Sequence, residues 1–380
     1  MSSSRTSGEE KSRSRYLMGN VACAEGALAA GCRFYGGYPI TPSSEIMEHM
    51  ALRLPRAGGT FIQMEDEIAS ICAVIGASWA GAKAMTATSG PGFSLMMEAL
   101  GYAAWTETPC VIVDIQRAGP CTGQATRVGS GDILQARYGS HGDYMPVALS
   151  PWSAQDMYDM TIRAFNLAET YRVPALVMAD EAVGHLRENV ELHTNFAVAW
   201  RRKKKGADPF GTDEPDGVPP MPAFGEGENL LVTGSTHDGK GLRKVDHPDV
   251  HARLVERIHR KIEAGRDDIV EIKAEWLDGA QVVVLAYGFT ARAAVAAVKA
   301  ARARGRKVGF VRLLTLWPFP DRELGGLLAG ARKVLVPEMN RGQVALLVRA
   351  CCGAEVVQLD QTNGRTIELE AIEEEIGRIC

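Results

Sequence analysis

Short unbroken apolar runs separated by longer helical patterns restrict the fold of this chain more than any other feature. "TPCVIVDIQ" (Thr108–Gln116) and "VPALVMAD" (Val173–Asp180) are continuous apolar segments bounded by proline or polar residues. Strands buried on both faces read this way, because no polar face alternates with the apolar one. Between them lie helical stretches. "GNVACAEGALAAGCRFYGGYPI" reads helix then strand, and "EIASICAVIGASWAGAKAMTATSGPG" reads helix, glycine stop, strand and loop. Strands alternating with helices imply an α/β fold whose parallel sheet is covered on both sides.

The alternation is interrupted once. Residues 16–190 carry the first α/β unit, and the first fifteen residues, polar and mixed in charge, read as a flexible N-terminus. Residues 191–268 change character: "WRRKKKGADPFGTDEPDGVPPMPAFGEGENLL" is rich in charge, Pro and Gly. That composition reads as an extended connector with some order of its own, and its "RRKKK" run as a solvated charge cluster. "HPDVHARLVERIHRKIEAG" then predicts an amphipathic helix ending at Gly265. The rhythm returns over 269–380 with "AQVVVLAYG", "TARAAVAAVKAARARG", "KVGFVRLLTLWPFP", "ARKVLVPEMN" and "QVALLVRACCG", a second α/β domain.

Composition excludes several functions. With 380 residues, 46% hydrophobic, the chain can bury two cores, and a net charge of −4 gives no basic excess for nucleic acid. The eight cysteines never form C-x-x-C, which argues against a zinc knuckle or an iron–sulfur cluster ligated by this chain. Lying in apolar runs such as "SICAVIGA" and "ETPCVIV", they read as reduced core thiols. No secretory h-region and no bilayer-length apolar stretch is present, so a soluble, cytoplasmic protein without membrane contact is expected.

Four loops carry the chemistry. In "YPITPSS", which follows a strand and opens a helix, Pro39 and Pro42 restrict the backbone around Ile40 and Thr41. Ser43 or Ser44 is placed to cap the helix, and a rigid cap is the structural alternative to a ligand contact by Thr41. Glu65, Asp66 and Glu67 stand at a helix start, where carboxylates favour the dipole. Glu67 also borders a helix nearly free of carboxylates, an edge at which a carboxyl can be tuned for proton chemistry. "TATSGPGFSLMMEALGYA" supplies a turn at Ser89, Gly90 and Pro91 that lets backbone approach a ligand, or is a plain turn. Arg117 ends a strand, placed either to clamp a carboxylate or to form a surface salt bridge. "GSTHDGKG" nearly spells a P-loop, but Gly241 replaces the hydroxyl residue that would hold magnesium; a nucleotide-binding assembly subunit is the non-enzymatic alternative. No G-x-G-x-x-G follows a strand.

As a set, "GNVACAEGALAAGCRFYGGYPITPSSEI", "ATSGPGFSLMMEALGYA", "ETPCVIVDIQRAGPCTGQATR", "ARYGSHGDY", "LRKVDHPDVHARLVERIHRK", "LTLWPFP" and "VPEMNRGQ" resemble the α subunit of the 2-oxoacid:ferredoxin oxidoreductases, the 2-oxoglutarate branch most. The resemblance implies a pyrimidine-binding domain of a thiamine diphosphate enzyme followed by a domain similar to the transketolase C-terminal one. By position it makes Glu67 the carboxylate on the aminopyrimidine ring, with Glu65 the local competitor; Pro39, Ile40, Ser89, Gly90 and Pro91 border the cofactor. Thr41 touches the 2-oxoacid and Arg117 pairs with its 1-carboxylate. Arg127, Arg137 and His141 are candidates for the second carboxylate of a five-carbon substrate, unless the partner chain supplies that group. No G-D-G occurs, so a β subunit is expected to bring Mg2+, the diphosphate half and a [4Fe-4S] cluster. Coenzyme A as acyl acceptor, ferredoxin as electron acceptor, and a dimer of αβ heterodimers complete the expectation. Pyruvate- or branched-chain-specific relatives are the alternatives within the family.

Overall fold

The computed structural model describes residues 13–380. Residues 1–12 lie outside them, and the expectation of a flexible N-terminus with them. Arg13–Met18 is already a strand, paired antiparallel with Arg187–Leu192.

The first sheet runs, in spatial order, through Thr315–Trp317, Val147–Leu149, Pro174–Asp180, Cys110–Ala118, Ala84–Thr88, Phe34–Gly37 and Thr60–Gln63. From Val147–Leu149 to Thr60–Gln63 every pairing is parallel, and Gln124–Val128 folds back antiparallel on the end of Cys110–Ala118. The continuous apolar strands of the sequence are the central ones. All seven residues of Pro174–Asp180 are buried, as are the first eight of Cys110–Ala118.

A second sheet has the order Ile272–Glu275, Val308–Leu313, Val282–Ala286, Lys333–Glu338, Glu355–Asp360; all but its first pairing are parallel. The apolar run "KVGFVRLLTLW" divides between the two sheets. Val308–Leu313 stays in the second, whereas Thr315–Trp317 pairs antiparallel with Val147–Leu149 at the edge of the first. The cores merge accordingly: Ile112 and Leu176 share one apolar cluster with Val283, Leu313 and Trp317. Asp180 adds a polar tie, capping its own helix through Val183 N at 3.0 Å and accepting Phe289 N from the second unit at 3.0 Å. Among the described residues no helix is long and apolar enough to cross a membrane.

Residues 193–247 contain little regular structure, yet buried charges fasten them to the first domain. Arg201, which opens the basic run read as solvated, is only 5% exposed. Its guanidinium donates to Glu169 at 2.8 and 2.5 Å and to the Ser78 carbonyl at 2.7 Å; Arg202 to Lys205 are exposed. The helix Pro248–Ala264, capped by Gly265 as its sequence predicts, buries Arg257 and Lys261. Both donate to Glu107, fully buried at the end of an adjacent helix: Arg257 at 2.8 and 2.5 Å, Lys261 at 2.8 Å. Buried Arg172 donates to the carbonyls of Glu107, Pro209 and Pro220, so connector, helix and sheet share one charge cluster.

The nucleotide-loop reading fails on geometry. Gly234–Gly241 has no strand before it and no helix directly after it; His237 bridges to Arg243 instead and packs on Phe210 at 4.5 Å between ring centroids. The cysteines divide. Cys23, Cys32 and Cys110 are core thiols, pushed up to about 12 by burial, but Cys72, Cys121 and Cys380 are exposed. Cys72 of "SICAVIGA" lies on the outer face of its helix, contrary to the core reading.

Candidate functional site

Three of the loops meet at the carboxyl ends of the parallel strands of the first sheet, where such sheets receive ligands. The loop after Phe34–Gly37 is held from behind by buried Asn20, whose amide donates to the Pro42 carbonyl and to Glu45, both at 2.8 Å. Ser43 does not cap its helix as expected. Its hydroxyl donates to the Ile40 carbonyl at 2.9 Å, tightening the turn that presents Thr41. Pro39 and Thr41 are exposed and Ile40 half-buried.

The three consecutive carboxylates separate by environment. Glu65 is exposed, Asp66 is the helix cap, accepting Ala69 N at 2.7 Å, and Glu67 is 5% exposed. Glu67 points under the Ser89–Gly92 turn. A Cβ on Gly92 would fall 2.3 Å from Thr88 Oγ1 and 2.4 Å from Glu67 Oε1, so only glycine lets this carboxyl approach the backbone so closely. Among the described residues no side chain donates to Glu67, while Thr88 Oγ1 and Ser89 Oγ beside it are buried without partners. Burial, reinforced by Asp66 and only partly offset by its own amide and by Arg117, raises the Glu67 pKa.

Arg117 completes the link. It is 6% exposed, donates to the Thr41 carbonyl at 2.7 Å, and leaves its Nε without a partner. With Gly90 and Pro91 it lines a hollow of about 780 Å³ that the sequence-derived set does not complete. Asp132, Asn340 and Arg341 are among the polar residues of its wall. Asn340 is locked in place, donating to the Ser130 carbonyl and Tyr287 Oη and accepting the amides of Gly342 and Gln343. Thus the "VPEMNRGQ" segment of the second domain reaches the loops of the first.

The candidates for a second cation scatter. Arg127 is exposed on the folded-back strand Gln124–Val128. Arg137 stacks on Tyr138 and Tyr144 and faces a different hollow, beside Trp317 and Arg322. His141 lines a third, with Tyr102 and Trp105. The cation that does share the hollow with Arg117 is Arg341, which the sequence reading quoted within its motif but did not single out. Asp114, also passed over, had left a sign: a lone carboxylate inside a strand buried on both faces.

Comparisons with known proteins place the chain in a family. Residues 25–257 match the family described as pyruvate flavodoxin/ferredoxin oxidoreductase, thiamine diphosphate-binding, and residues 280–372 match pyruvate:ferredoxin oxidoreductase core domain II. The 2-oxoglutarate synthase subunit KorA of Methanocaldococcus jannaschii is 53% identical over 363 residues, covering 94% of this chain and 98% of its own. The ketoisovalerate oxidoreductase subunit VorB of Methanothermobacter thermautotrophicus is 35% identical, covering 96% of this chain and 97% of its own. A solved 2-oxoglutarate:ferredoxin oxidoreductase from Magnetococcus marinus, with 2-oxoglutarate, coenzyme A and succinyl-CoA bound, superimposes with a TM-score of 0.92 at 33% identity, covering 98% of this chain and 66% of that one. The chain belongs to the 2-oxoacid:ferredoxin oxidoreductase family, as an α subunit most similar to the 2-oxoglutarate branch.

Proposed function

We propose that this chain is the α subunit of an enzyme that oxidatively decarboxylates 2-oxoglutarate to succinyl-CoA and CO2 and passes the electrons to ferredoxin, with reverse carboxylation along the same path. The observation that carries the reading is Glu67, a buried carboxyl to which no side chain donates, pressed against the Gly92 backbone beside Arg117. Such a group fits an aminopyrimidine ring. The unpartnered hydroxyls of Thr88 and Ser89 suit the same ring, and Gly92 leaves the room that the Glu67 carboxyl occupies. Thiamine diphosphate, when bound, supplies the carbanion chemistry that lets a 2-oxoacid lose CO2.

Glu67 would hold a proton with the ring nitrogen, and the upward shift that burial gives its pKa favours keeping that proton. Arg117 has one nitrogen on the Thr41 carbonyl and keeps others for the substrate 1-carboxylate, so substrate position and the Thr41 loop are set together. The partner subunit brings Mg2+, the diphosphate half and the [4Fe-4S] cluster. The identity to the 2-oxoglutarate synthase subunit exceeds that to the ketoisovalerate subunit, which supports the dicarboxylic substrate over a branched one.

Two substitutions probe this arrangement. Arg117→Lys retains the charge but not the fork. It must give up either Thr41 or the substrate, and KM for 2-oxoglutarate is expected to rise about 10- to 100-fold with a smaller change in kcat. Gly92→Ala displaces the Glu67 carboxyl, with an expected loss of about 10²-fold in kcat; steady-state viologen reduction measures both. The function itself is tested by viologen reduction without oxygen, by the chain co-expressed with its partner and supplied with thiamine diphosphate, magnesium and coenzyme A. 2-Oxoglutarate should exceed pyruvate and 2-oxoisovalerate, and the isolated chain should be inactive. A complex holding cofactor and cluster that oxidises no 2-oxoacid would refute the reading.

A further inference from the structure

Two carboxyl groups, Asp132 in the wall of the hollow and Asp114 buried in the strand that carries Arg117, have no part in the chemistry above. Asp114 stands in Cys110–Ala118 opposite Thr88 on one neighbouring strand and Met178 on the other. It is fully buried, and neither of its oxygens has a hydrogen-bond donor among the described residues. The group facing it is Asp132, whose Oδ2 is likewise buried without a donor. The Gly90 amide points toward Asp114 without closing a bond. Asp132 is fixed by its own amide, which donates to Gln116 Oε1 at 3.1 Å. Arg117, three residues along the same strand, is the cation that faces both, and its Nε is free.

Two ionised carboxylates cannot share such a place. Each would lack a donor, and each would repel the other in a medium too poor in water to screen them. One proton between them turns the clash into a charge-assisted hydrogen bond.

We propose that Asp114 and Asp132 share one proton and act as a single charge-setting pair behind Arg117, positioning residues that govern how firmly Arg117 holds the substrate carboxylate. The inference rests on the 2-oxoacid reading given above. Asp114 is the protonated member, pushed well up by burial and then by Asp132. Asp132 carries the charge, pushed up to about 6 by burial against the opposing pull of Asp114 and Arg117. Of the other charged or titratable groups near the hollow, Glu67 faces Arg117 from its helix, while Cys121 and Arg341 line the rim. Asp180 lies opposite Gln116 on the next strand, also pushed up to about 6 by burial, but it is tied to the amides of Val183 and Phe289.

The sign follows. Below about pH 6 the pair is neutral and the charge on Arg117 is left for the substrate. Above it the pair is negative, draws on Arg117 and repels the anion. In the intact complex KM for 2-oxoglutarate should rise about three- to tenfold between about pH 5 and 7.5, and Asp132→Asn should abolish that step. Infrared spectra give a second readout that needs no turnover. The wild-type complex at about pH 7.5 should show the C=O band of a protonated carboxyl that shifts when its aspartates carry 13C and vanishes in Asp114→Asn. Should a variant not assemble, the labelled wild-type band decides alone. A step that persists in Asp132→Asn, or the absence of an aspartate-sensitive band, would overturn the pair. A complex with the band but without any 2-oxoacid activity would instead defeat the assigned function.

Discussion

Glu67→Ala in the assembled complex is expected to lower 2-oxoglutarate-dependent viologen reduction by about 10²- to 10⁴-fold, the range by which a positioned proton-transfer group accelerates a reaction. The chain should lose no stability with it. Glu67 is buried, receives no side-chain donor and has a raised pKa. A carboxyl whose folded pKa lies above its unfolded value favours the folded state at low pH, and that advantage is lost as pH rises through the folded pKa. Once ionised, it therefore works against folding. Glu67→Gln should melt at or above the wild-type temperature at about pH 8 and lose any such advantage at about pH 4, while remaining inactive at both. Thermal melts of the isolated chain read the first property and viologen assays of the complex the second. An inactive variant that is also strongly destabilised would mean that Glu67 is a structural carboxylate.

The opposite behaviour is expected at Glu107. Burial alone would raise this carboxyl, but Lys261 and then Arg257 hold it far below the usual carboxylate range. Its contribution to stability is therefore fully present above the unfolded value of about 4.3 and disappears as pH falls through the acid range. Glu107→Ala leaves Arg257 and Lys261 buried without their counter-ion. That costs about 3–5 kcal/mol, or roughly 4–6 °C in melting temperature for a chain of this size. The connector should loosen first, since Arg172, Arg257 and Lys261 join it to the sheet. Melting curves with and without the substitution, together with proteolysis between residues 201 and 247, measure both effects. A melting temperature within about 2 °C of wild type would show that the cluster breaks even against its desolvation.

Much of this was readable from local pattern. Unbroken apolar runs marked the central strands, because a strand covered on both faces has no polar period to hide it. The helix 248–264 was readable from its amphipathic spacing and Gly265. Long-range pairing left weaker traces. Arg201 reads as one of five basic residues in a row, and only the buried Glu169 on a distant helix distinguishes it. Strands 308–313 and 315–317 look like one run, since a single residue separates two segments that belong to different sheets. Arg137 and His141 are near Arg117 in sequence, but the turns after Gln124–Val128 send their side chains to other hollows. Glu65 and Glu67 are equivalent as letters; the helix start turns the first outward and the second beneath Gly92.

The central claim is that Glu67 of this chain handles the proton that activates the cofactor, and the exchange rate of the thiazolium C2 proton reads that step most directly. Quenched-flow hydrogen–deuterium exchange followed by proton NMR would compare the complex carrying wild-type chain with one carrying Glu67→Gln, both saturated with thiamine diphosphate. The exchange should be slower by about 10²- to 10⁴-fold in the variant. Equal rates would contradict the account and remove Glu67 from the chemistry.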